Sequence, residues 1–375
     1  MTLLGARAPR LRWVSPYLRT RGPEAVDLAT MAGLILDPWQ RDVLDDVCAL
    51  SDDDPDMWNT LENGIIVPRQ NGKGGDIEAY VLACLFLWDD QMILYSAHRF
   101  DTSQKMFKRI RALIVNCPSL NRRVRRVYEG NGKESIHLKS GAELAFHTRS
   151  ASAGRGFTGN NIILDEAFKL EATMMGALMP TMSAVRNPQI TYWSSAGWEI
   201  STQLGQVRRR AMAALMFLRL QEGLDLEQAA AALGICTEDA ERYQRRAALD
   251  DGLAFLEWSV PEVTQRVRAV MSDPKLHAMA NPAYGIRISP AFVLKELRAM
   301  GAIEFGRERL GIGDYPPDED DDGWGVVTEA DWARLVYPDG ADVRPGRTGR
   351  RRAAFAVDMR PDRSKSCISA AYEDE

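Results

Sequence analysis

The stretch Ile65-Ile66-Val67-Pro68-Arg69-Gln70-Asn71-Gly72-Lys73-Gly74 decides how the rest of the chain reads. An apolar run gives way to a polar, glycine-containing turn that ends on a lysine. Asp76-Ile77-Glu78-Ala79-Tyr80-Val81-Leu82-Ala83 then reads as a helix. Strand, tight Gly-Lys loop, then helix is the order of a phosphate-binding P-loop. Backbone N–H groups and the helix N-terminus attract the anion, and the lysine reaches its outer phosphates. The pattern G-x-x-x-x-G-K-[ST] is met in part. Val67 stands at the first glycine, and Gly74 stands where a hydroxyl normally helps to hold Mg²⁺. A surface loop that happens to contain Gly-Lys is the plainer alternative.

A second stretch bears on that choice. Asn161-Ile162-Ile163-Leu164-Asp165-Glu166-Ala167 is an apolar strand that ends in adjacent carboxylates. Buried parallel strands look like this, and α/β sheets bind ligands at their C-terminal ends. Asp165 there suits Mg²⁺ and Glu166 suits polarising a water. Solvated acids at a strand end are the alternative. Both motifs in one chain, in the right order, predict an ATPase that uses ATP and Mg²⁺.

The 375 residues are enough for two to three domains or subdomains. With 45% hydrophobic and 26% charged residues, the composition is that of a soluble globular protein. The net charge of −5 excludes a wholesale nucleic-acid coat, so any DNA contact must come from local basic patches. Cys48, Cys84, Cys117, Cys236 and Cys367 lack C-x-x-C spacing, which argues against a zinc site or a disulfide framework and fits a reducing cytosol. His98, His137, His147 and His277 have no metal-ligand spacing. No apolar run has the length of a membrane span, and the basic N-terminus lacks the apolar core of a signal peptide.

Residues 1–30 carry Arg7, Arg10, Arg12, Arg19 and Arg21 among Pro and Gly and read as a basic arm. Trp39-Gln40 precede a helix expected over Arg41–Leu50. Gln40 has the donor–acceptor pair that reads an adenine edge, and Trp39 can pack on the ring or on its loop. A core anchor and a surface amide are the alternatives. Met92 to His98 reads as a strand, and Thr102 to Val115 as an amphipathic helix. Arg122-Arg123-Val124-Arg125-Arg126 reads as a basic loop, either solvated or touching DNA phosphates. Ser135–Leu138 and Glu143–His147 alternate around Ser140-Gly141 as a β-hairpin. The Gly-rich stretch Ser152–Gly159 presents Arg155, which suits charge stabilisation near phosphates, with an incidental loop arginine as the alternative. A strand over Gln189–Trp193 ends in Ser194-Ser195-Ala196-Gly197, hydroxyl residues placed to sense a phosphate. Residues 203–258 read as helical. Within them Leu226–Ala240 has a helix–Gly234–helix rhythm, a DNA-reading motif or, more plainly, a helical hairpin. Residues 289–310 read as helical, Asp318–Asp322 as an acidic linker, and Ala353–Asp358 with Cys367–Tyr372 as two strands.

Taken in order, Trp39-Gln40, the loop Pro68–Lys73, Ile162–Ala167, Ser194–Gly197 and Phe355-Ala356-Val357-Asp358 resemble the large terminase subunit of tailed bacteriophages, most closely the actinobacteriophage type. The resemblance implies an α/β P-loop NTPase of the RecA/ASCE kind, with a mostly parallel sheet and a helical lid, followed by the first strands of an RNase H-like domain. It implies a motor that translocates double-stranded DNA into a procapsid, with the portal protein and the small terminase subunit as partners. A homo-oligomeric ring and the cytoplasm of an infected or lysogenic bacterium go with it.

The resemblance also assigns roles. Arg69, Gln70, Asn71, Gly72, Lys73 and Gly74 would form the ATP loop, with Lys73 and Arg69 on the phosphates and Gln40 reading adenine beside Trp39. Asp165 would serve Mg²⁺, Glu166 would activate water, and Arg155 would stand as an arginine finger. Ser194, Ser195 and Ala196 would couple hydrolysis to movement. Asp358 would be the first nuclease metal ligand. The expected divisions are an arm at 1–30, an ATPase core at 31–202, a lid at 203–322, a linker at 323–352 and the nuclease start at 353–375. With only two nuclease strands present, the expectation is ATPase competence without cleavage by this chain alone. A helicase or other translocase is the rival enzyme, and a DNA-binding prophage remnant without turnover is the rival that is not an enzyme.

Overall fold

The computed structural model describes residues 3–88, 91–130, 134–149, 159–170, 172–262, 264, 268–316, 353–359 and 366–372. The chain divides into two units, Met1–Asp318 and Glu319–Glu375.

In the first unit the chain runs β1 (Leu11–Trp13), β2 (Arg19–Thr20), α1 (Gly22–Met31), α2 (Pro38–Val47), β3 (Ala49–Leu50), β4 (Glu62–Ile66) and α3 (Lys73–Phe86). It continues with β5 (Met92–Ala97), α4 (Phe100–Asn116), α5 (Pro118–Asn121), β6 (Val124–Tyr128), β7 (Ser135–Leu138), β8 (Glu143–Thr148) and β9 (Asn161–Asp165). There follow α6 (Ala172–Met182), β10 (Gln189–Ser194), α7 (Thr202–Gln221), α8 (Leu226–Leu233), α9 (Thr237–Arg245) and β11 (Leu253–Glu257). Short helices α10 (Arg268–Met271), α11 (Pro274–Ala280), α12 (Pro290–Ala299) and α13 (Ala302–Leu310) close the unit.

Nine strands make one sheet in the order β1-β11-β4-β10-β9-β5-β8-β7-β6. The six strands from β11 to β8 are parallel to their neighbours, and β1, β7 and β6 add antiparallel edges. Such central strands are covered on both faces, which explains their unbroken apolar runs. Alternation still sorts the side chains. Ile65 joins the apolar layer under α1–α4, whereas Ile66 joins the layer under α6–α9. A third, smaller apolar cluster holds α10–α13 together.

Register fixes where the loops emerge. Ser194 pairs with Ile66, and Trp193 pairs with Asp165. The P-loop, the serine turn and the acidic pair therefore leave the same edge of the sheet.

Local chemistry sets the helix starts. Pro38 opens α2 with Asp37 as N-cap, and Gln40 completes a capping box, so the helix begins three residues before the expected Arg41. Asp225 and Gln228 form the same box on α8, and Gly234 ends it with a positive φ of 66°. The hairpin expected around Ser140-Gly141 forms as β7–β8.

Three expectations are corrected. Residues 1–30 are not a loose arm: β1 pairs with β11, and the arginines are spent within the fold, Arg7 on Asp42, Arg10 on Glu257 and Arg12 on Asp46. Residues 203–258 are not wholly helical, because Leu253–Glu257 enters the sheet beside β4. The Arg122–Arg126 stretch is not a loop throughout, since β6 forms the sheet's far edge, with Arg126 over the Tyr128 ring at 4.2 Å.

In the second unit β12 (Ala353–Met359) and β13 (Ser366–Tyr372) pair antiparallel, and Asp358 lies opposite Cys367. The two-strand reading is met, while the Asp358 side chain lies outside the described residues.

Trp13 tests the corrected N-terminus. It is 3% exposed and donates from Nε1 to the Asp250 carbonyl at 3.0 Å. Trp13→Ala is expected to cost about 3–5 kcal/mol in denaturant unfolding. A solvated arm would tolerate the change with no shift in midpoint.

Candidate functional site

The loop after β4 is held from outside by its carbonyl groups. Pro68 O accepts from Asn71 Nδ2 at 3.0 Å and Arg69 O from Arg309 Nη1 at 2.9 Å. Asn71 O accepts from Arg287 Nη2 at 2.6 Å and Gly72 O from Gln40 Nε2 at 3.0 Å. Gln70 and Gly72 take positive φ values of 66° and 107° to turn the chain between these ties. Gly72 is required there twice over, because a Cβ would also lie 2.4 Å from Arg287 Nη2. Among the described residues, the N–H groups of Arg69 to Gly74 have no protein acceptor. Carbonyls tied outward and N–H groups left over make an anion-binding loop.

Arg69, Gln70, Gly72, Lys73 and Gly74 line a cavity of about 430 Å³. Asp165, Glu166, Ser194 and Ser195 face them from the neighbouring strand ends, and Tyr95, Thr102, Lys105 and Arg109 close another wall. Lys73 Nζ donates to Val67 O at 2.8 Å. Burial pushes its ammonium down to about 8, while the Asp165 charge pulls the other way.

The acids are positioned with equal care. Asp165 accepts from the Tyr95 hydroxyl at 2.7 Å and from the Glu166 backbone N–H at 2.8 Å. Glu166 sits in left-handed backbone at φ 53° and ψ 45°, a costly conformation for a non-glycine residue. Arg149 Nη2 donates to the carbonyls of both acids, at 3.0 Å to Glu166 O. Thr102 Oγ1 lies 3.3 Å from Glu166 Oε1, and Glu166 Oε2 is buried without a partner among the described residues. Ser194 ties the two halves together. Its carbonyl accepts from Val67 N at 3.0 Å, and its hydroxyl accepts from Phe168 N at 2.9 Å.

The structure thus gathers Arg69, Gln70, Gly72, Lys73, Gly74, Asp165, Glu166, Ser194 and Ser195, with Ala196 buried just beyond. It does not bring Trp39, Gln40 or Asn71 to the cavity wall. Trp39 is buried edge-on against Trp258, with ring centres 5.2 Å apart, so the core-anchor alternative describes it. Gln40 is 1% exposed and tied at both amide atoms: Oε1 accepts from Asp37 N at 2.8 Å while Nε2 serves Gly72 O and Asp76. Its buried amide braces the loop and presents no edge to the cavity. Asn71 likewise points away, to Asn281 Oδ1 at 3.0 Å. Arg155 lies outside the described residues.

Several site residues escaped the sequence reading. Thr102, Lys105 and Arg109 recur at helical spacing on α4, a polar stripe that follows a strand end and was legible as one face. Asn281, Arg287 and Arg309 reach the loop from more than two hundred residues downstream in sequence, and no local signal marks them.

No protein-family model and no curated protein matches the chain. Solved structures do. The large terminase of bacteriophage HK97 superposes with a TM-score of 0.56 at 18% identity, over 79% of this chain and 56% of that one. The ATPase domain of a Thermus phage large terminase gives 0.38 at 16% identity, over 48% and 72% of the two chains. The large terminase of a thermophilic bacteriophage, solved with ADP, gives 0.30 at 13% identity, over 51% and 46%. The nine-stranded, mostly parallel sheet with its flanking helices has the fold of the HK97 large terminase, in keeping with the sequence resemblance. This chain spans 56% of that terminase's length.

Gln40 separates a brace from a base reader. Gln40→Ala leaves Asp37 N without its partner and Gly72 O with the Gly75 N–H alone, so it is expected to cost about 1–3 kcal/mol in the absence of nucleotide. Thermal unfolding without nucleotide reads this directly. Unchanged stability with altered preference between ATP and GTP would restore the adenine role.

Proposed function

We propose that this chain is the ATP-hydrolysing motor of a phage DNA-packaging machine. The observation that carries the reading is the make-up of one cavity. Arg69, Lys73, Lys105 and Arg109 line it together with Asp165 and Glu166, and the P-loop and the acids sit at the same ends of two parallel strands separated by one other, β10. Its volume of about 430 Å³ falls in the range of small-ligand sites. Four cations around an anion-binding loop fit a polyphosphate, and the paired acids fit hydrolysis of it.

In this reading the loop N–H groups and Lys73 hold the β- and γ-phosphates, with Arg69 at the rim. Asp165 is the residue that would hold Mg²⁺, which binds through one or two carboxylates together with substrate phosphates. The donor set fits: one acid at the cavity wall, a second beside it, and an orphaned Glu166 oxygen. When bound, the ion would neutralise phosphate charge. Glu166 orients and polarises the attacking water, and Arg149 keeps its backbone in place by holding the carbonyls on either side. Ser194 senses the outcome, because it bridges the P-loop strand and the acidic strand through one residue. Ser195 and Ala196 continue that link.

The sequence resemblance is what points to double-stranded DNA as the load, with the portal protein and small terminase subunit as partners and a ring as the working assembly; the fold shared with the HK97 large terminase is in keeping with it. Among the described residues no helix is long and apolar enough to cross a membrane. The β12–β13 hairpin is the proposed start of an RNase H-like nuclease, with Asp358 as its first metal ligand.

ATP hydrolysis measured with and without double-stranded DNA tests the reading. Lys73→Ala and Glu166→Gln are each expected to lower the rate by about 10²-fold or more, while DNA raises that of the natural chain. Hydrolysis that survives both changes would remove this cavity from consideration.

The pH dependence of binding is a second test. In the free protein Lys73 loses its proton near pH 8, and phosphate binding favours the charged ammonium. Affinity for ATP is therefore expected to be flat below that pH and to fall above it, by up to about tenfold per unit. Titration calorimetry between neutral and alkaline pH reads the slope, and Lys73→Ala is expected to flatten it.

A further inference from the structure

Gly74 lacks the hydroxyl that a P-loop ordinarily carries, and the structure shows what fills the space. A Cβ at Gly74 would lie 2.8 Å from Arg109 Nη1 and 3.4 Å from Arg109 Cζ. The guanidinium of α4 thus occupies the volume a serine or threonine side chain would enter. It is anchored there. Arg109 Nε meets Glu78 Oε1 at 2.5 Å, and Glu78 lies one turn after Gly74 on α3. The Glu78 side chain is 3% exposed, whereas that of Arg109 is 56% exposed and lines the cavity. The inner nitrogen is spent on the buried acid, and the outer nitrogens are left toward position 74 and the cavity.

We infer that Arg109 contacts the terminal phosphates directly, replacing the missing hydroxyl at Gly74 with a charged donor set. The inference rests on the nucleotide reading above. A guanidinium matches phosphate oxygens with paired, charge-assisted hydrogen bonds, and its delocalised charge survives the approach of Lys73 and Lys105. The glycine and the arginine belong together: a side chain at 74 must displace Arg109, and without Arg109 position 74 offers phosphate only its N–H. Glu78 is the positioning residue. Burial pushes its carboxyl up to about 7, against the pull of Arg109, so the ion pair fixes the guanidinium at a cost to the acid.

Titration calorimetry with Mg²⁺-ATP and with inorganic tripolyphosphate, which has no base or sugar, tests this. The natural chain is compared with Lys73→Ala, Arg109→Ala, Arg109→Lys and the double variant Arg109→Ala/Glu78→Gln, each checked for an intact thermal transition. Arg109→Ala is expected to weaken both ligands by about tenfold or more, with partial recovery in Arg109→Lys. The double variant removes the buried charge left behind by the single one and is expected to stay weak. Full affinity in Arg109→Ala, or affinity restored in the double variant, overturns the inference and leaves Arg109 as a partner of Glu78 alone. Binding lost in Lys73→Ala but kept in Arg109→Ala has the same force and leaves the nucleotide reading standing. No binding by the natural chain overturns both.

Discussion

An anion-binding loop must keep its carbonyl oxygens away from the anion, and here that is done by tying them to side chains of distant elements. Gln40 comes from α2, Arg287 from the turn before α12, and Arg309 from α13. Asn71 joins the set by turning its own side chain back to Pro68 O and on to Asn281. Each tie is a hydrogen bond of modest net worth, but leaving a buried carbonyl unpaired costs more than making the bond gains. The loop shape is therefore over-determined, and the positive φ at Gln70 is tolerated because its neighbours are fixed on both sides. The small helices α10–α13, with their own apolar cluster, are what place two of those ties.

The sheet supplies the second constraint. One strand, β10, lies between the strand that carries the loop and the strand that carries the acids. Parallel register sets Ser194 against Ile66 and Trp193 against Asp165. Because strands are spaced about 4.8 Å apart, a single intervening strand sets the loop and the acids roughly 10 Å from one another, room for a phosphate chain between them. Tyr80 locks the opposite ends, with its hydroxyl 2.7 Å from Asn161 Oδ1 and 2.5 Å from Gln189 Oε1, so β9 and β10 are held to α3 at their starts.

How much of this was legible follows from range. The strand–loop–helix at Ile65–Ala83, the strand over Asn161–Asp165 and the hairpin over 135–148 are local patterns, and they form where they read. The edge strand at Leu11–Trp13 has three residues and no period of its own; it becomes a strand because β11 offers it a partner. Leu253–Glu257 follows an Ala- and Arg-rich helical run, and a short apolar segment does not announce its type. Gln40 was read for its chemistry, correctly as a donor and acceptor, but the groups it serves are Asp37 N and Gly72 O, known only once the loop is seen beside it. For Arg109 the polar face of α4 was legible but its meeting with Gly74 was not: Gly74 shows an absence in the sequence, and the side chain that fills it lies on another helix.

The cavity is not a set of bare charges. Lys73 rests on Val67 O, Arg69 reaches Glu308 at 3.3 Å, and Arg109 is paired with Glu78. On the other wall Asp165 is satisfied by Tyr95 and by the Glu166 N–H. Burying a charge without a partner is costly, so the pairings of Lys73 and Glu78 stabilise the fold around the cavity. A phosphate that enters competes with those partners as well as with water, and its affinity is the difference between the two sets of contacts. Residues paired with a neutral carbonyl, as Lys73 is, lose least on exchange. Arg109 need exchange nothing, because its ion pair with Glu78 is made at Nε and leaves the outer nitrogens of the guanidinium for the ligand. The buried acid that holds the arginine and the phosphate that would use it address different edges of one planar group, which lets the ion pair serve a binding site without being broken by it.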